Sequence, residues 1–222
     1  MKTKTKKTVW IPAIIAVTVA ALLVIYYYYM SSVSGGKPGM RPPGGGNVPG
    51  HMGGSPGGKG GGGNAEIFNT LGTISVFLGA ASFCWFWFKK KLRSPSMLVQ
   101  KAGKLFHSLH KLLGWATLIL IAVHGVYFLI TKFQDHKTYS GLAAFAIILA
   151  ISGYGFYINK VRNKWMRTIH RILGLLWVPV LLLHVGGTAI MAVIATLAVG
   201  GLVWTIDRMA EKTMKPVAGD TL

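Results

Sequence analysis

Six stretches of the chain stay apolar for about the length of a bilayer crossing, at roughly 9–30, 66–88, 105–131, 139–159, 166–187 and 188–206. A helix needs about 20 residues to cross a hydrocarbon layer about 30 Å thick, and soluble elements rarely carry apolar runs of that length. The pattern predicts an all-α fold, a polytopic six-transmembrane-helix bundle set in a lipid bilayer. Polar breaks between the spans are short apart from one. Four regions result: an N-terminal membrane anchor helix over 1–30, a Gly/Pro-rich loop over 31–65, a helical membrane domain over 66–206 and a tail over 207–222. Hardly any sequence is left over for a folded nucleotide-binding domain.

A formal net charge of +19 would suggest a polyanionic partner in a soluble protein. Here the basic residues sort by side once the spans are drawn. With both termini cytoplasmic, nineteen lie inside, among them seven from Lys89 to Lys111 and five from Lys160 to Arg171, and five lie outside. That bias follows the positive-inside rule and accounts for the charge without nucleic acid. A multi-pass protein of the plasma membrane is expected, with the Gly/Pro-rich loop extracytoplasmic. The first span, with a basic start and small residues Ser32 and Ser34, also has the outline of a secretory signal. Its apolar run of about 22 residues exceeds the usual signal core, which favours an uncleaved anchor.

Cys84 is the sole cysteine, so disulfide frameworks, iron–sulfur clusters and covalent haem attachment within this chain are excluded. Residues 35–64 are rich in glycine and proline without a triplet period, the composition of a disordered segment. Met40, His51 and Met52 within it are soft metal ligands, although a plain spacer is the favoured reading.

The third and fifth spans carry four histidines in two matched pairs: His110 with His124, and His170 with His184. Members of each pair stand fourteen positions apart, and the second pair follows the first by sixty. Fourteen steps of about 100° end about 40° short of four turns, so both members share one helix face about 21 Å apart along the axis. Each leaflet receives one imidazole. The segments KLFHSLHKLLGW from Lys104 and KWMRTIHRILGL from Lys164 agree at lysine, histidine, the next basic residue, leucine and glycine, so the two spans are versions of one unit. They cross in the same direction, which pairs His110 with His170 at the inner side and His124 with His184 at the outer side.

Ionisable residues at membrane depth are costly and usually functional. Four imidazoles in this arrangement suit two stacked bis-histidine haems, held non-covalently as haem b. Gly114 and Gly174, four residues after the inner histidines, leave room on the same face for a porphyrin edge. Lys111, Arg171 and Arg167 are placed to pair with inner propionates, and Lys132, His136 and Lys137 with outer ones. Trp177 falls midway between His170 and His184, as an electron-tunnelling intermediary or a large core residue. His107 lies off the histidine face and is expected at the interface or beside the site. Gly153, Gly155, Gly200 and Gly201 are expected to serve helix packing alone.

With HKLLGWATLILIAVHG and HRILGLLWVPVLLLHVG as its two histidine segments, the region 66–206 resembles the ferric reductase-like transmembrane domain family. That family includes eukaryotic ferric reductases, NADPH oxidases and the bacterial haem-binding membrane subunit of a methionine sulfoxide reductase system. The resemblance implies a ferric reductase-like di-haem domain, ligated at His110, His124, His170 and His184, passing electrons from the cytoplasmic side to an extracytoplasmic acceptor. Large members carry flavin and nicotinamide domains after the last span. This chain ends sixteen residues beyond it and is expected to act like the stand-alone haem subunits, as the electron-transfer component of an oxidoreductase. The donor would be a separate flavoprotein reductase or a quinol. The acceptor would be a ferric or cupric ion, a flavin or a redox protein. A transition-metal or proton-coupled transporter using the same histidines is the main alternative, and a purely structural membrane subunit a third.

Overall fold

The computed structural model describes residues 9–34, 63–161 and 163–214, which form six helices. They are α1 (Ile11–Ser34), α2 (Gly63–Phe88), α3 (Met97–Thr131), α4 (His136–Val161), α5 (Lys164–Val185) and α6 (Gly187–Met214). All six are long and apolar enough to cross a membrane, and no strand occurs among the described residues. The protein is an all-α, multi-pass membrane bundle. The glycine-rich segment with Met40, His51 and Met52 lies outside the described residues, as do both chain termini.

Among the boundaries that depart from the hydropathy reading, three have a clear local reason. Helix α3 begins at Met97 rather than 105, because Ser96 in extended backbone caps it and accepts a hydrogen bond from the Val99 N–H. Its 35 residues extend about 52 Å, well beyond the hydrocarbon thickness. Hydropathy registers only the apolar part of such a helix. Helix α6 continues past 206 to Met214, since Asp207, only 1% exposed, accepts hydrogen bonds from the Lys91 ammonium and the Ser94 hydroxyl. Gly186 ends α5 two residues before the hydropathy run does. Its φ of +67° costs a glycine little, and its N–H caps Leu182 O at 3.0 Å. The chain then enters α6 at once.

Helix neighbours run α2, α3, α4, α5, α6 and back to α2, a closed ring of five, with α1 packed outside against α4. The histidine-bearing helices α3 and α5 therefore face each other across the ring instead of packing side by side. The tightest neighbours are the antiparallel hairpins α2/α3 and α4/α5. Outward positions such as Leu22, Ile130 and Leu175 are more than half exposed, as lipid-facing side chains are. Helix α1 is fixed by more than apolar contact. The Tyr154 hydroxyl on α4 accepts from the Ala13 N–H at 3.1 Å and donates to Val9 O, while Tyr26 meets Tyr139 edge to face at 4.8 Å.

Candidate cofactor site

Each of the four histidines turns its Nδ1 toward the other helix of its own hairpin. On α3, His110 Nδ1 lies 2.9 Å from the Ser82 carbonyl oxygen and 2.9 Å from the Ser82 hydroxyl, and His124 Nδ1 lies 2.7 Å from Phe68 O. On α5, His170 Nδ1 lies 2.9 Å from Ile151 O, and His184 Nδ1 lies 3.1 Å from the Ser140 hydroxyl. A carbonyl only accepts, so at His110, His124 and His170 the proton sits on Nδ1 and the unprotonated Nε2 is left as a ligand. Among the described residues no hydrogen bond reaches any of the four Nε2 atoms. One hydrogen bond per imidazole is worth about 1 kcal/mol net, less than the cost of keeping four polar rings at membrane depth.

The inner two histidines lie ring to ring, and the outer two border one cavity. His110 and His170 meet with ring centroids 6.1 Å apart and planes at 86°. A metal bonded to both Nε2 atoms at about 2.0–2.1 Å, with each nitrogen about 1.1 Å from its ring centre, requires centroids about 6.3 Å apart. The observed centroid separation is within a few tenths of an ångström of that value. His124 and His184 line one cavity of about 550 Å³, within the range of cofactor pockets, together with Gly72, Gly141 and Trp177. Among the described residues no three His, Cys, Asp or Glu side chains converge on one point. Two imidazoles make a poor site for a bare transition metal ion, which takes three or four protein ligands, but a complete axial set for a metal whose equatorial positions are already filled.

Trp177 divides the interior between the pairs. It is 8% exposed, its Nε1–H donates to Ala144 O on α4 at 3.2 Å, and its far ring edge meets the position of Gly79 on α2. A Cβ at Gly79 would lie 3.0 Å from that ring, so α2 yields the space that the indole uses. Gly114 and Gly174 are open positions: the nearest atom to an added Cβ is Ser82 Oγ at 4.0 Å for the first, and nothing lies within 4 Å for the second.

Comparison with models of protein families, with characterised proteins and with solved structures gave no match.

The cations expected around the inner pair are distributed unevenly. Arg167 and Arg171 are exposed one turn apart, with Arg171 Nε donating to Arg167 O at 3.2 Å. Lys89, just beyond α2, joins them: burial and the nearby Arg171 and Arg167 guanidiniums hold its ammonium below the usual lysine pKa. Spacing within α3 and α5 gives no hint of Lys89, because it reaches the cluster only through the fold. Lys111 is exposed and has no acidic partner among the described residues. His107 stands aside as expected, its ring 4.7 Å from Trp85. At the other end Lys132, Asp135, Lys137 and Thr138 rim the cavity, with Asp135 Oδ1 capping the Lys137 N–H at 3.0 Å. The side chain of His136 lies outside the described residues.

Two glycines expected to serve packing alone prove different from each other. Gly200 does lie under a neighbour, the Trp87 ring, at 2.7 Å from an added Cβ. Gly155 instead faces the His170 imidazole at 3.2 Å, and Gly72 and Gly141, which no motif marked, face His124 and His184 at 2.7 Å. Nothing lies within 4 Å of Gly153 or Gly201.

Proposed function

We propose that this protein carries electrons across a plasma membrane through two b-type haems, one between His110 and His170 and one between His124 and His184. The observation that carries the reading is the common orientation of the four imidazoles: every Nδ1 engaged by a neighbouring helix, no Nε2 engaged among the described residues, His110 ring to ring with His170, and His124 and His184 on one cavity. A haem with two axial histidines supplies a one-electron iron couple without a vacant position for oxygen or substrate. The chain's own residues do the rest. Hydrogen bonds from Nδ1 fix each ring and raise its basicity, as they do at metal-bound histidines generally. Arg167, Arg171 and Lys89 gather positive charge where propionates need partners, and Trp177 fills the space between the two positions with an aromatic ring.

The orientation rests on the positive-inside bias, which puts the α2–α3 and α4–α5 connections in the cytoplasm and the cavity with His124 and His184 toward the outside. Electrons would then enter near His110 and His170 from a flavoprotein reductase or a quinol. They would leave at the outer cavity toward a ferric or cupric ion, a flavin or a redox protein. Such a protein acts as the haem-binding component of an oxidoreductase, in the manner of the ferric reductase-like transmembrane domain family. A transporter that used the same histidines would be colourless when pure. The deciding experiment is a dithionite-reduced minus oxidised spectrum of the purified protein with a pyridine haemochrome count. About two haem b per chain is the expected result, and fewer than one after haem-replete expression overturns the reading.

A further inference from the structure

The histidine repeat has a counterpart on the helices that carry no histidine. The carbonyls that receive His124 and His110 belong to Phe68 and Ser82, fourteen positions apart on α2. On α4 the corresponding backbone groups belong to Ile151, which receives His170 directly, and Lys137, fourteen positions before it. His184 reaches the Lys137 carbonyl through the Ser140 hydroxyl, which lies 3.1 Å from His184 Nδ1 and donates to Lys137 O at 2.9 Å. Antiparallel helices in constant register must show this: a fourteen-residue step on one is answered by a fourteen-residue step on the other.

A carbonyl inside a helix already accepts from the N–H four residues on, and the side chain of that later residue leans back over it, because Cα–Cβ bonds tilt toward the N-terminus. A second donor can approach only where the covering side chain is missing or turned away. Four residues after Phe68, Lys137 and Ile151 stand Gly72, Gly141 and Gly155. An added Cβ at Gly72 would lie 2.7 Å from His124 Cε1 and 2.8 Å from its Nδ1; at Gly141, 2.7 Å from His184 Cε1; at Gly155, 3.2 Å from His170 Cε1. The fourth place departs from the rule. Residue 86 is phenylalanine, its ring stacked on Phe83 and turned outward, and Ser82 adds its own hydroxyl to the His110 contact.

We propose that Gly72, Gly141 and Gly155 are positioning residues, each clearing the space in which a haem-ligand imidazole meets the partner helix, directly at the Phe68 and Ile151 carbonyls and through the Ser140 hydroxyl at Lys137, and that the repeated unit of this protein is the whole two-helix hairpin. The inference rests on the di-haem reading and extends it from four ligands to the helices that aim them. Loss of an uncovered carbonyl leaves the imidazole less basic or turns it off axis. The affected iron then has a weaker axial donor or none.

The test compares Gly72→Ala, Gly141→Ala and Gly155→Ala with Gly153→Ala, whose added Cβ meets nothing within 4 Å. Alanine is a better helix former than glycine, so a local loss of helix is not the expected consequence. Purified full-length proteins would be examined by haemochrome count, potentiometric titration and low-temperature electron paramagnetic resonance, with His184→Ala and His170→Ala marking which signal belongs to which haem. Gly72→Ala and Gly141→Ala are expected to act on the same, outer haem, dropping the count from about two to about one or raising that haem's midpoint potential alone. Gly155→Ala, the gentler contact, is expected to keep both haems and raise the inner potential alone. Gly153→Ala is expected to match the parent protein. Unchanged signals and potentials in the first three variants would overturn the proposal, and so would an equal loss of haem in all four. A parent protein devoid of haem would instead overturn the di-haem reading itself.

Discussion

The two ends of the bundle hold the same pair of imidazoles in different surroundings. At the basic end His110 and His170 sit ring to ring at 6.1 Å, near the cations Lys89, Arg167 and Arg171, and His110 is held by both the carbonyl and the hydroxyl of Ser82. At the opposite end His124 and His184 border a cavity of about 550 Å³ rimmed by Lys132, Asp135, Lys137 and Thr138. One duplicated histidine set thus has one end with its rings in contact and three basic side chains nearby, and one end on a cavity rimmed by charges of both signs. In an electron carrier that difference assigns direction: the basic end suits entry from a partner at the cytoplasmic face, and the cavity end suits a small or soluble acceptor.

The largest test of this comparison removes ligands from one end at a time. His170→Ala and His184→Ala should each reduce the haemochrome count from about two to about one, with different spectra remaining. Identical residual spectra would erase the distinction between the ends. Next in size, Trp177→Leu should slow transfer between the haems about tenfold after flash reduction while leaving the count unchanged. A rate equal to that of the parent would reduce the indole to a packing residue.

Smaller effects sharpen the contrast. Asp207 holds Lys91 and Ser94, and through them the α2–α3 connection that carries Lys89. Asp207→Asn should cost about 1–3 kcal/mol of stability in detergent, measured by thermal unfolding, since it weakens a buried charged acceptor. Arg171→Gln should lower the inner haem potential by tens of millivolts and leave the outer one in place, because a cation removed from the inner end no longer disfavours ferric iron. The smallest expected effect is a pH dependence. Burial and two guanidiniums lower the Lys89 pKa, so as pH rises this lysine discharges before an ordinary one. The inner potential should then fall in that alkaline range, and Lys89→Arg should remove the step. A step of equal size at the outer haem would place the titrating group elsewhere.

Much of the site is legible in the sequence because membrane helices impose simple periods. The fourteen-residue histidine steps and the sixty-residue repeat place four imidazoles in two layers, and the structure brings His110 to His170 as that spacing requires. Trp177 also turns into the bundle, where it bonds Ala144 O. Gly72, Gly79, Gly141, Gly155 and Lys89 were not legible, since their role depends on which helix lies opposite and in what register. A glycine in an apolar span looks the same whether it admits a helix, an indole or an imidazole.

Hydropathy alone determined the class of molecule and the number of spans, because the hydrocarbon layer sets helix length and residue polarity with little help from neighbours. The helix ends at Met97, Gly186 and Met214, the ring order that sets α3 across from α5, and the carbonyls that aim the imidazoles were decided by tertiary structure. Caps, buried ion pairs and uncovered backbone groups act over a few ångströms between segments far apart in the chain, and a linear pattern carries no record of such distances.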